Sequence, residues 1–93
     1  MAKKKISTHL YVLQCGTRFK IGVTNNIEKR IASLQTGNPE KIELIHIEER
    51  QNPTKAERYL HRCFHKNRLK GEWFDGISLK DIRIKLLLFF DQD

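Results

Sequence analysis

The sequence has 93 residues, 39% hydrophobic and 31% charged, which is enough for one compact core and too little for two. With 18 Lys and Arg against 11 Asp and Glu the formal charge is +7, so the chain's long-range field attracts polyanions, nucleic acid first among them. No apolar run approaches the ~20 residues of a membrane-spanning helix, and Lys3, Lys4 and Lys5 lead into mixed sequence rather than a secretory apolar stretch, so a membrane partner is not expected.

In chain order, residues 1–7 read as a basic flexible tail and residues 8–93 as a single domain. "THLYVLQ" and "RFKIGV" are two short β-rich runs around "CGT", a hairpin signal with Gly16 where a positive φ is useful. Asn25 and Glu28 form a capping pair for a helix from about Asn26 to Thr36, which Gly37 and Asn38-Pro39 end. "KIELIHIEER", dense in β-branched and apolar residues, predicts a third strand lying centrally or beneath a helix. Asn52-Pro53 then opens a helix to about Asn67. "GEWFDGI" reads as a brief strand or turn with Trp73 and Phe74 turned inward, and Ser78 with Asp81 caps a last helix reaching Phe90. The expected fold is α+β: a small three-stranded antiparallel sheet flanked by helices, in the order ββαβα with a C-terminal helix.

Several side chains stand where chemistry could use them. A two-residue turn at Gly16-Thr17 would pair Cys15 with Arg18, Leu13 with Lys20 and Tyr11 with Gly22, placing Tyr11 and Lys20 diagonally on one face. A three-residue turn would separate them, leaving an edge aromatic and a solvated lysine. In the first helix Ile27, Ile31 and Leu34 share a stripe, Arg30 lies about 60° from its centre and Lys29 points to water. An Arg on such a flank buries its stem and presents its fork of donors at a rim, where a phosphate fits it; a plain surface Arg would do the same without a ligand. Glu57 borders the second helix's stripe of Ala56, Tyr59, Leu60, Cys63 and Phe64, as an ion-pair partner or as an oxygen ligand for a hard divalent cation. Cys15 and Cys63 are too few for a disulfide framework, and His61, Cys63 and His65 raise a zinc reading that their differing helical directions weaken. On the last helix Leu79, Ile82, Leu86, Phe89 and Phe90 make an inward stripe while Ile84, Leu87 and Leu88 lie on another side, which suggests either a helix wedged between two core faces or a homodimer through that helix.

"LYV" followed by "KIG", an Arg eight positions after that Gly in "GVTNNIEKR", then "TGNP", "AERYLHRCF" and "GEWF" together resemble the GIY-YIG nuclease superfamily, in particular its small phage and meiotic-gene branch with KIG in place of YIG. Each motif alone is weak, but five in order over roughly residues 8–77 are specific. The resemblance implies a metal-dependent DNA endonuclease using one Mg2+ or Mn2+ per site, in the cytoplasm, or in the host cytoplasm if a phage encodes it. It assigns the first-strand tyrosine to Tyr11, the helix arginine to Arg30 and the metal-binding glutamate to Glu57, with Lys20 at the second tyrosine position. A single ion binds the scissile phosphate, a water attacks, a tyrosine or its neighbourhood takes the proton, and the arginine steadies phosphate charge. His61, one turn after Glu57, could orient the carboxylate or the water. Lys20, Arg30, Arg18 and Lys29 become the candidate DNA contacts, with RNA a further possible ligand. Leu34 stands where relatives carry a His or Tyr helper, and His46 on the third strand reads as a half-buried sheet residue. The departure at Lys20 keeps a second reading open: a GIY-YIG-fold binding or interaction module that has lost turnover.

Overall fold

The computed structural model describes residues 8–89, so the expected tail at 1–7 and the inward Phe90 lie outside the described residues. Strands β1 (His9–Cys15) and β2 (Arg18–Thr24) form the hairpin. They are followed by helix α1 (Ile27–Gln35), strand β3 (Glu43–Glu49), helix α2 (Pro53–Cys63), strand β4 (Trp73–Phe74) and helix α3 (Leu79–Leu88). The class is α+β as expected, but the antiparallel sheet has four strands rather than three, in the order β3-β1-β2-β4.

The hairpin turns on Gly16 at φ 64°, a left-handed conformation that glycine adopts without a Cβ penalty. Its register pairs Cys15 with Arg18, Leu13 with Lys20 and Tyr11 with Gly22, as a two-residue turn requires. Helix α1 starts one residue later than the expected capping pair. The Thr24 hydroxyl accepts from the Asn26 backbone N–H at 3.1 Å, and Asn26, not Asn25, caps the helix by accepting from the Lys29 N–H at 3.0 Å. Strand β3 is an edge, not the centre: Leu44 and Ile47 are exposed, and only the run's overall apolar density suggested burial on both faces. Helix α2 ends four residues short of Asn67 because Phe64 leaves helical geometry at φ −111° and is buried, and a 3-10 turn, His65–Asn67, takes over. Helix α3 carries the expected capping box: Asp81 N–H donates to Ser78 Oγ at 3.1 Å, and Ser78 N–H donates to Asp81 Oδ2 at 3.0 Å.

Alternation along β1 sends successive residues to opposite faces, and each face has its own core. Leu10 and Val12 join Phe19, Ile21, Ala56, Leu60, Phe64, Phe74, Ile82 and Leu86 beneath α2 and α3. Tyr11, Leu13 and Cys15 join Ile42, with Ile27, Ile31, Leu34 and Trp73 packed against them, on the α1 side. Ile82 and Leu86 face the first core, whereas Ile84, Leu87 and Leu88 on the other side of α3 are exposed. No helix among the described residues is long and apolar enough to cross a membrane.

Candidate active site

The site grows from the hairpin register. Tyr11 lies opposite Gly22, and its ring crosses directly over that residue: a Cβ added at Gly22 would come within 2.5 Å of the Tyr11 hydroxyl oxygen and 2.7 Å of Cζ. Only a residue without a side chain leaves room for the phenol there. Two residues earlier in β2, Lys20 points to the same face and is only 6% exposed. From α1, Arg30 reaches across and donates from Nε to the Tyr11 hydroxyl at 3.2 Å. Three of the expected residues thus share one face of the sheet.

The other contributors arrive at the edge of β2. Strand β4 is only two residues long and pairs with Phe19 and Lys20, so the β2 edge beyond Lys20 must be satisfied otherwise. The Ile21 N–H donates to the backbone carbonyl of Glu72 at 3.3 Å, and the Ile21 carbonyl accepts from His61 Nε2 at 2.9 Å. A carbonyl can only accept, so His61 carries its proton on Nε2. Its ring also leans on Phe74, centroids 5.1 Å apart. His61 therefore ties α2 to the sheet edge. One turn earlier on α2, Glu57 shares a hydrogen bond with Glu72, and Glu72 Oε1 stands 3.3 Å from Lys20 Nζ. The Lys20 ammonium also lies over the Trp73 ring, 5.4 Å from its centroid.

The electrostatics follow from this crowding. Burial, then the neighbouring Glu72 carboxylate and the hydrogen bond to it, push the Glu57 carboxyl up from 4.5 to about 7, against the pull of Arg58 and Lys20. Burial also raises the Tyr11 phenol above its usual value of 10, despite the opposing hydrogen bond and charge of Arg30. A phenolate base at neutral pH is thus further out of reach than the residue type alone suggests. The bond it donates to Tyr11 holds the Arg30 guanidinium all the more firmly charged.

The remaining candidates surround this centre. Arg30 and Lys29 line a recess of about 250 Å3 with Thr24, Asn25, Asn26 and Ser33 at the start of α1. Arg18 and Trp73 line another, of about 130 Å3, with Cys15, Asn38 and Glu40. Leu34 packs into the α1-side core. His46 pairs with Val12, so it lies on the far side of the sheet from Tyr11, where its Nε2 meets Glu48 Oε1 at 2.9 Å. A recess of about 300 Å3 on that far side, lined by His46, Glu48, Arg50, Arg83, Leu86 and Leu87, is separated by the sheet from the Tyr11 centre. Cys63 is exposed, and His65 is engaged with the Arg62 carbonyl, at 3.1 Å. The described residues contain no group of three or more His, Cys, Asp or Glu side chains placed to share an ion.

Two carboxyl groups do meet, and their donor chemistry suits a hard divalent cation. Glu57 is crowded by Glu72 enough to retain a proton near neutrality, a repulsion that Mg2+ or Mn2+ on Glu57 would relieve while water and phosphate oxygens completed its shell. Lys20 already offsets part of the charge on Glu72. Glu72 is the member that sequence reasoning missed: "GEWF" points to an inward aromatic pair and to the family resemblance, and neither gives its acid a role. The available signal was an acid placed immediately before an inward-facing Trp in a strongly basic chain.

No curated protein and no solved structure matches the chain. The T5orf172 domain matches residues 8–86, which span every strand and helix that builds this centre except the end of α3. The chain belongs to the T5orf172 domain family.

Proposed function

We propose that this domain is a GIY-YIG-type nuclease that hydrolyses DNA phosphodiester bonds with the help of Mg2+ or Mn2+. The observation that carries the reading is convergence: a phenol from β1, an amine from β2, a guanidinium from α1 and a carboxyl from α2 stand around one place on a chain of charge +7. Membership in a domain family found in phage and nuclease-associated proteins supports it.

In this reading Arg30, braced by Tyr11, holds a non-bridging oxygen of the scissile phosphate through its remaining N–H donors. The Lys20 ammonium lies on the same face, with its stem buried, and adds a second fixed positive charge. Negative charge grows on the phosphate oxygens in the transition state, so preplaced cations there stabilise it selectively. Tyr11 acts as a neutral hydrogen-bonding phenol. Glu57 would hold the divalent ion, which when bound polarises the phosphate and its coordinated water, while Glu72 stays engaged with Lys20. His61 keeps the Glu57 turn of α2 against the β2 edge. One such centre cuts one strand, so a single copy nicks.

A second reading has its own support: the lysine at the second tyrosine position is engaged with Glu72, an arrangement equally suited to a DNA-binding module without turnover. Supercoiled plasmid incubated with Mg2+ or Mn2+ separates the two. Nicking that requires the metal and disappears in both Glu57→Ala and Arg30→Ala supports the nuclease. Salt-sensitive retention of DNA, without cleavage at any metal concentration, overturns it in favour of the module.

A further inference from the structure

Glu72 has a fixed backbone and a committed side chain. Its carbonyl is anchored to the Ile21 N–H at 3.3 Å, so the residue cannot drift from the β2 edge. From there Oε1 reaches 3.3 Å from Lys20 Nζ and lies 3.0 Å from where a Cβ on Gly22 would stand, beside the Tyr11 hydroxyl. Lys20 is the buried member of this pair, whereas the Glu72 side chain is about one-third exposed. A lysine has a long flexible stem and a compact ammonium with no preferred fork of its own. Something must choose where that ammonium rests: Glu57 feels its charge, but the groups in contact with it are the Glu72 carboxylate and the Trp73 ring, 5.4 Å away at its centroid. The indole attracts without strong direction, while the carboxylate supplies both charge and a hydrogen-bond acceptor.

We infer that Glu72 is a positioning residue of the proposed nuclease site, acting through Lys20: it fixes the ammonium beside Gly22 and Tyr11, on the face where Arg30 also ends. The inference rests on the nuclease reading of that site. A carboxylate at this point lowers the positive charge offered to DNA, so it does not serve to tighten DNA binding. Its benefit lies in where Lys20 stands during the reaction.

The test compares wild type, Glu72→Gln, Glu72→Asp, Lys20→Met and the double variant Lys20→Met with Glu72→Gln. Each is assayed for nicking of supercoiled plasmid in Mg2+ or Mn2+, for thermal melting, and by 1H–15N spectra of the lysine ammonium groups. Glu72→Gln keeps an acceptor but loses the charge. It is expected to lower kcat at least tenfold with KM unchanged or reduced, to melt within a few degrees of wild type, and to shift or broaden the Lys20 ammonium signal. Glu72→Asp recovers part of kcat, and the double variant nicks no more slowly than Lys20→Met alone, as two residues acting as one unit require. Wild-type nicking rates in Glu72→Gln, an unmoved Lys20 signal, or a double variant that loses the full product of the two single effects would each overturn the inference. If Glu72→Gln does not fold, Glu72→Asp decides: full wild-type kcat with a displaced Lys20 signal also overturns it. The wild-type lane is read first, because a wild type that never nicks ends the nuclease reading, and this inference with it, before any variant is compared.

Discussion

On the α2 and α3 side of the sheet, Leu10, Val12, Phe19, Ile21 and Phe74 meet Ala56, Leu60, Ile82 and Leu86 in an uninterrupted apolar core. On the α1 side, the same strands present Tyr11, Lys20 and a bare Gly22, and Lys20 is the one buried charged residue among the described residues. Helix α1 itself has no fully buried residue. The contrast separates two tasks by the two-residue alternation of a strand: one face is given wholly to an apolar core, and the other sets charges that cost stability beside a smaller core of Leu13, Cys15 and Ile42. Helix α2 belongs to both, with Leu60 in the core and Glu57 reaching past the β2 edge to the site.

If that division holds, changes on the two faces fail in opposite ways. Leu60→Ala removes most of a fully buried side chain between α2 and the sheet and should lower stability by roughly 2–5 kcal/mol in urea unfolding, with nicking per folded molecule little changed. Tyr11→Phe deletes only the hydroxyl that accepts from Arg30, so its stability loss should be about 1 kcal/mol while nicking falls tenfold or more. Equal losses of stability in the two variants would break the comparison.

Gly22→Ala puts the two tasks in conflict at one position. The new Cβ would stand 2.5 Å from the Tyr11 oxygen, so the ring must move and carry its contact with Arg30 along. A cost of about 1–3 kcal/mol is expected, with nicking reduced at least as far as in Tyr11→Phe. An alanine variant with wild-type melting and activity would show that the phenol's place is unimportant.

Glu57 tests whether the site's charge opposes folding. Its carboxyl stays protonated in the folded protein up to about 7, whereas an unfolded chain releases the proton near the ordinary 4.5. Below that lower value both states are protonated and the group contributes nothing. As pH rises between the two, the unfolded state ionises first and stability falls, levelling off above 7. Solvent reaches this carboxyl, which reduces the effect to roughly 1–2 kcal/mol. Glu57→Gln should therefore match wild type near pH 4 and exceed its stability by that amount near pH 8, with nicking lost. Stabilisation that is the same at both pH values would mean that burial and Glu72 do not hold the proton there.

Much of this arrangement is legible in the sequence, and the exceptions have physical causes. The turn at Gly16-Thr17 fixed the β1–β2 register, and register alone placed Tyr11 opposite Gly22 and Lys20 on the same face. Local periodicity located α1 and therefore Arg30. What the sequence could not show was pairing at a distance. Two residues, Trp73 and Phe74, left a brief strand and a turn equally open, and pairing with Phe19 and Lys20 decides for the strand and delivers Glu72 to Lys20. Strand β3 misled in the other direction, because apolar density reports burial without saying which neighbour supplies it. His61 was expected near Glu57's chemistry, and only the unfinished edge of β2 shows that its Nε2 proton is held by Ile21.

The smallest expected effect concerns the start of α1, where the sequence pattern favoured Asn25 and the structure uses Asn26. The Asn26 side chain accepts from the Lys29 N–H, and its carbonyl accepts the Arg30 N–H at 3.1 Å, so this residue begins the turn that carries the arginine. Asn26→Ala should cost about 0.5–1 kcal/mol, and Asn25→Ala close to nothing. Because α1 has no fully buried residue to hold it once the cap is gone, fraying falls first on the turn bearing Arg30. Nicking should then drop a few-fold in Asn26→Ala, while hydrogen exchange accelerates at Lys29 and Arg30 and stays unchanged in α2. The reverse ranking of the two asparagines would return the cap to Asn25 and start the helix one residue earlier, against the bond that Asn26 makes with the Lys29 N–H.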